Sequence, residues 1–187
     1  MRGALTGIFY TNSTAGLTYS INIPIEKELS EKQRFYLRLV FIEGKTHEAA
    51  AQEMGVAKSD LSGMWEELKE ERARLQPIRD LWARKCKDVA YDEFETAYLN
   101  TKPHCHYCGI TPDQIQRLWD KDSELTKRGR GRKLELERLA PNEKYSNLGN
   151  LVFSCYWCNN AKTDTFTEAE FMKVGEVIRG IWEERLG

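Results

Sequence analysis

ELERLAPNEKYSNLGNLVFSCYWCNNAKTD, residues 135–164, carries the information from which the rest of the chain can be placed. Read together with Leu134, its beginning alternates apolar and charged side chains as far as Leu139. That is the period of a half-buried strand, with Glu135 and Glu137 on the face opposite Leu134 and Leu136. Asn150-Leu151-Val152-Phe153 supplies a second strand. Cys155-Tyr156-Trp157-Cys158 then opens a short helix, CNNAKTD, and Thr167 caps a C-terminal helix with Glu170 placed for a capping box. The expected order is strand, loop, strand, helix.

The pair Cys155/Cys158 has a counterpart upstream in Cys105-His106-Tyr107-Cys108. Cys-x-x-Cys spacing lets both thiolates of a pair reach one tetrahedral ion, so the two pairs together make a closed four-thiolate site. Soft tetrahedral ligands favour Zn²⁺, and four thiolates leave no open position for catalysis, so this zinc is expected to be structural. The rival reading, a redox-active pair, lacks a thioredoxin-like strand-helix context. His104 and His106 are spare ligands or solvent-facing neighbours. After the first pair, Thr111-Pro112-Asp113-Gln114 starts a helix that continues through Ile115, Leu118 and Trp119.

With these elements in order, the segment resembles the HNH, or ββα-metal, nuclease family. The family's usual form has a first cysteine pair, Asp-His ending the first strand, Asn-Leu beginning the second, and Cys-x-x-Cys-Asn-x-x-Lys on the helix. The resemblance runs from His104 to Asp164, about a third of the chain. It implies that Glu137 and Asn159 hold a catalytic Mg²⁺ or Mn²⁺, and that Asn150 fixes the loop bearing the general base. The base position itself is occupied by Arg138, as in a branch of the family with Asp-Arg or Glu-Arg followed by Tyr.

Arginine stays protonated at working pH, so the usual histidine mechanism cannot be transferred whole. Three routes stay open. Metal-bound hydroxide attacks unaided, another residue such as His104, His106 or Tyr145 supplies the base, or the site binds nucleic acid without cutting it. Arg138 would clamp a phosphate in each. Plainer roles also exist: an exposed Glu137–Arg138 ion pair at a strand end, a helix-turn hydrogen bond for Asn159, and a solvated Lys162 where a phosphate neutraliser is otherwise expected.

Working outward, the basic run TKRGRGRK (126–133) carries Lys127, Arg128, Arg130, Arg132 and Lys133 with no acid. It is either a solvated, glycine-loosened loop or a nucleic-acid contact. The whole chain has 187 residues, 41% of them hydrophobic, and a net charge of −1, so any phosphate-binding surface must be local rather than global. Five cysteines without a secretory leader argue for metal rather than disulfides. Ile8–Tyr10 is too short for a signal peptide or a membrane span, so a cytoplasmic protein with no membrane partner is expected.

Upstream of the cysteines the pattern is helical. Ser30 caps a helix with Phe35, Leu39 and Ile42 on one stripe and Gly44 as its stop. THEAAAQEMGVAKSDLSGMWEEL (46–68) resembles a helix-turn-helix, with Ala50 at the crossing, Gly55 in the turn, and a second helix directing Leu61 and Trp65 or Leu68 inward. Its DNA-facing turn would carry a single cation, Lys58, and is followed by Glu66, Glu67, Glu70 and Glu71. Pro77 is expected to open the next helix, where Cys86 belongs to the apolar stripe as a buried hydrophobe rather than a nucleophile.

The expected fold is therefore α+β. Residues 1–28 form an extension with a β-hairpin ending at Pro24, residues 29–100 a helical region with a helix-turn-helix over 46–76, and residues 101–187 a zinc-stapled ββα-metal domain with a C-terminal helix. The function the resemblance implies is hydrolysis of double-stranded DNA in restriction or phage defence, with a homodimer suited to double-strand cutting. A silent nucleic-acid-binding module is the alternative. A third reading is an adaptor whose acidic helices, Glu66 to Arg74, engage a protein partner.

Overall fold

The computed structural model describes residues 29–187, so the hairpin expected before Pro24 lies outside the described residues. Among the described residues the protein is mainly helical with one two-stranded antiparallel sheet, an α+β architecture. No helix among them is long and apolar enough to cross a membrane.

Helix α1 (Glu31–Tyr36) begins at Ser30, whose hydroxyl accepts the Gln33 N–H while the Gln33 side chain accepts the Ser30 N–H. The chain continues as a π-helix over Leu37–Ile42. Its wider i→i+5 winding, seen in the Glu43 N–H bond to the Arg38 carbonyl, turns Leu37, Leu39, Phe41 and Ile42 into the core. Phe35 is consequently 41% exposed, off the buried stripe on which an α-helical period places it.

Helix α2 (His47–Met54) is capped by Thr46 and ends at Gly55 in the left-handed conformation, φ +65°. Ala50 and Ala51 are buried at its crossing. A recognition helix does not follow. Lys58–Leu61 is a single 3₁₀ turn, Gly63 at φ +81° breaks it, and α3 (Met64–Glu67) is one turn long. Leu61 and Leu68 nonetheless point inward as expected. Lys58 is paired with Glu48, so the lone cation of the expected DNA-reading turn is already engaged.

Helix α4 (Lys69–Lys85) runs straight through Pro77, which sits inside it rather than at its start. An interior proline forfeits a backbone hydrogen bond and costs about 3 kcal/mol. Burial of Leu75 and Ile78 on either side holds the helix across that defect. Cys86, at the end of α4, is 1% exposed. The Trp82 indole donates to the Val89 carbonyl at 2.8 Å and ties the turn to α5 (Tyr91–Asn100).

Two cores result. One gathers the helical region around Tyr36, Leu39, Leu68, Ile78 and Phe94. The other surrounds the four cysteines with Tyr107, Ile110, Ile115, Trp119, Phe171 and Trp182. The second core is closed by α6 (Pro112–Lys121), α7 (Tyr156–Lys162) and α8 (Glu168–Leu186); α6 starts at Thr111 as expected, with a capping box to Gln114, and α8 starts at Thr167 with the capping box expected. Strands β1 (Glu135–Arg138) and β2 (Leu151–Ser154) pair in the register Glu135↔Ser154, Leu136↔Phe153, Glu137↔Val152 and Arg138↔Leu151. Leu136, Leu151 and Phe153 belong to the helical core, and Phe153 meets Tyr98 edge-on at 5.1 Å. The hairpin therefore joins the two cores, leaving the Glu135/Glu137 side of β1 for α7.

Candidate functional site

Each cysteine pair is held by the backbone of the element it follows. Gly109, at φ +75°, turns the chain back after Cys108, and the His106 N–H donates to the Phe153 carbonyl at 2.8 Å, fixing this turn to β2. Cys155 caps α7, its sulfur accepting the Cys158 N–H at 3.4 Å. The sulfurs of Cys105, Cys108, Cys155 and Cys158 consequently lie within 4.8 Å of one another, all buried. Cys108 Sγ and Cys155 Sγ are 3.7 Å apart. Four sulfurs about 2.3 Å from one zinc stand about 3.8 Å from each other at the corners of a tetrahedron, the spacing that Cys108 and Cys155 already have. Hydrogen bonding to its three companions holds the Cys105 thiol below its ordinary range, and hydrogen bonding with Cys105 and Cys108 pushes Cys155 and Cys158 up. Four thiolates can share so dry a pocket only around a cation.

The alternation read in the sequence puts Glu135 and Glu137 on one side of β1, and α7 meets both. Asn159 Nδ2 donates to Glu135 Oε2 at 2.5 Å. Three residues on, Lys162 is 0% exposed, with Nζ 3.3 Å from Glu137 Oε1. The Tyr107 hydroxyl donates to the same oxygen at 3.4 Å. Glu137 is 7% exposed, and its second oxygen, Oε2, is buried with no hydrogen-bond partner among the described residues. Burial lifts the Glu137 carboxyl above the usual carboxylate range against the pull of the nearby Ser154 hydroxyl, whose own hydrogen bond goes to the Cys155 carbonyl at 3.3 Å, and of Lys162 and Tyr107.

Asn159 is thus in contact with Glu135 rather than Glu137, and Lys162 is sealed in an ion pair rather than offered to phosphate. Glu135 carried a signal in the sequence, its period-two relation to Glu137. The partnerships of Tyr107 and Lys162 carried none.

Asn150 is buried at the far end of the hairpin loop. Its Oδ1 accepts the Ala140 N–H at 2.8 Å, and its Nδ2 donates to the Ala140 carbonyl at 3.0 Å. This two-way bond ties the start of the loop after β1 to its end. Arg138, on the other side of β1, donates from Nη1 to the Glu143 carbonyl at 2.7 Å, and its guanidinium lies 4.7 Å from the centre of the Tyr145 ring. Lys85 of α4 donates to the Leu136 carbonyl at 2.8 Å and to the Tyr145 hydroxyl at 3.1 Å. His106 is turned to Glu168 of α8, Nε2 to Oε1 2.7 Å.

The basic loop is only partly gathered in. Arg130, Gly131, Arg132 and Lys133 line an open cleft of about 520 Å³ with Glu135, Tyr156, Asn159 and Asn160. Lys127 and Arg128 are exposed and do not line it. The loop is anchored: Trp119 Nε1 donates to the Gly131 carbonyl at 3.1 Å, the Arg132 guanidinium stacks 3.9 Å from the Trp119 ring centre, and Thr126 Oγ1 donates to the Arg130 carbonyl at 2.9 Å. Gly131, at φ +88°, lies so close to Tyr156 that a Cβ would come within 3.1 Å of it.

No protein-family model and no curated protein sequence matches the chain. Among solved structures, the chain is similar to one of the rare-cutting HNH restriction endonuclease PacI. Identity is 27% and the TM-score 0.43, over 59% of this chain and 77% of that one. A TM-score of 0.43 is too low to establish a common fold.

Proposed function

We propose that the chain is a metal-dependent nuclease of the HNH type that hydrolyses phosphodiester bonds in DNA. The observation that carries the reading is Glu137: a buried carboxylate with one oxygen unpartnered, on the strand face that α7 and Asn159 cover. Its Oε2 and the amide oxygen of Asn159 are hard oxygen donors of the kind Mg²⁺ and Mn²⁺ take. An ion bound there would polarise the phosphoryl group and stabilise charge on the departing oxygen.

The remaining residues serve that centre. The four cysteines hold Zn²⁺ and set the start of α7, which fixes where Asn159 sits relative to β1. Asn150 secures the loop that follows Arg138. Arg130, Arg132 and Lys133 line the cleft and draw in the sugar-phosphate backbone. Arg138, held by the Glu143 carbonyl and the Tyr145 ring, orients a phosphate rather than taking a proton, since a guanidinium is no general base.

That anchored Arg138 is also what favours the second reading, a module that binds nucleic acid without cutting it. Relaxation of supercoiled plasmid separates the two. The nuclease converts it to open circle with Mg²⁺ or Mn²⁺ and stops with EDTA. The silent module leaves it supercoiled and shows only salt-sensitive binding.

A further inference from the structure

Lys162 has no part in the chemistry above, yet it is the most deeply buried cation beside it. Its ammonium lies 3.3 Å from Glu137 Oε1 and donates to the Arg138 carbonyl at 3.5 Å, with 0% of the residue exposed. A buried ammonium persists only where a carboxylate compensates it, so the charge of Glu137 is matched before any ion arrives. Glu135 is the other carboxylate on this strand face, and the cleft beside it carries Arg130, Arg132 and Lys133. Glu137 is thus matched by Lys162, and Glu135 stands beside Arg130, Arg132 and Lys133, so these two carboxylates offer a divalent cation entering alone little uncompensated charge. A phosphodiester in the cleft brings the missing negative charge.

We propose that Lys162 is a resident counter-ion to Glu137 that makes the divalent ion bind together with a nucleic-acid phosphate rather than ahead of it. The proposal rests on the metal-site reading above. Lys162 is a positioning residue: it holds Glu137 Oε1 alongside Tyr107, leaves Oε2 for the ion, and never touches substrate. Because binding linkage is reciprocal, the ion tightens the phosphate as much as the phosphate tightens the ion.

The test is Mn²⁺ binding by the zinc-loaded full chain, followed by electron paramagnetic resonance of free Mn²⁺, with and without a short DNA duplex and against a duplex-only blank. Wild type should bind Mn²⁺ at least tenfold more tightly with duplex than without. Lys162→Met should bind it at least tenfold more tightly than wild type when no DNA is present. Equal wild-type affinity with and without duplex overturns the coupling and leaves the metal site standing. A folded Lys162→Met with wild-type Mn²⁺ affinity overturns the role of Lys162. If circular dichroism or zinc content shows that variant misfolded, the wild-type comparison decides alone. If wild type binds Mn²⁺ no better than Asn159→Ala under either condition, the metal site fails and this proposal with it.

Discussion

Asn150 closes its loop with one side chain used in both directions, so its loss is felt twice. Asn150→Ala leaves the Ala140 N–H and carbonyl without their partners, at a cost of about 1–3 kcal/mol. Urea denaturation measures that loss; a variant as stable as wild type would show the bond to be idle. Tyr91 offers the opposite case: its hydroxyl is buried with no partner among the described residues. Tyr91→Phe should be neutral or stabilising by about 1 kcal/mol in the same denaturation, and clear destabilisation would reveal a hidden partner. The cysteines were legible because Cys-x-x-Cys spacing fixes ligand geometry locally, and Asn150 only through the resemblance to the HNH family. The pairing of Glu135 with Asn159 and of Glu137 with Lys162 was not. Which carboxylate meets which turn of α7 depends on how the cysteine cluster sets that helix along the strand, a tertiary fact that no spacing encodes.

Among the elements, α8 is placed by contact rather than by propensity. Gly175 sits so close to the first cysteine turn that a Cβ would come within 2.5 Å of the Tyr107 carbonyl oxygen. Gly175→Ala should therefore destabilise by about 1–3 kcal/mol and loosen zinc, read by thermal melting and metal analysis; an unchanged melt would mean α8 can shift freely. Helix caps at Ser30, Thr111 and Thr167 were readable because each is a local pattern of side chain and backbone. The π-helical winding over 37–42, the helix through Pro77 and the break at Gly63 were not, since in each the burial of neighbours overrides the local preference. The basic loop belongs to this scale too. Arg130→Ala and Lys133→Ala should each lower the slope of log affinity against log salt by about one phosphate contact, while Lys127→Ala, outside the cleft, should change it less.

Across the whole molecule, the α+β class followed from the sequence, whereas the hairpin's role as the joint between two cores did not. Strand periodicity tells which side chains share a face and is silent on what that face packs against. The four-cysteine cluster sits at the heart of the second core, and a structural zinc bound there would be worth on the order of 10 kcal/mol to a small domain. Cys155→Ser should lose zinc and the near-ultraviolet dichroism of Trp119, Trp157 and Trp182 together; a zinc-free chain with a wild-type spectrum would contradict this. Burial also raises the Tyr36, Tyr91, Tyr98 and Tyr107 hydroxyls above the ordinary tyrosine range. Their stabilisation is whole below the unfolded value of about 10 and fades as pH rises through and beyond it, so the melting temperature should fall steeply in that window. The central claim, a divalent-ion nuclease centred on Glu137 and Asn159, is tested most directly by nicking of supercoiled plasmid in Mg²⁺ or Mn²⁺, comparing wild type with Asn159→Ala at equal zinc content. Open circle from wild type alone, abolished by EDTA, is the predicted result; equal cutting by both proteins would contradict the assignment.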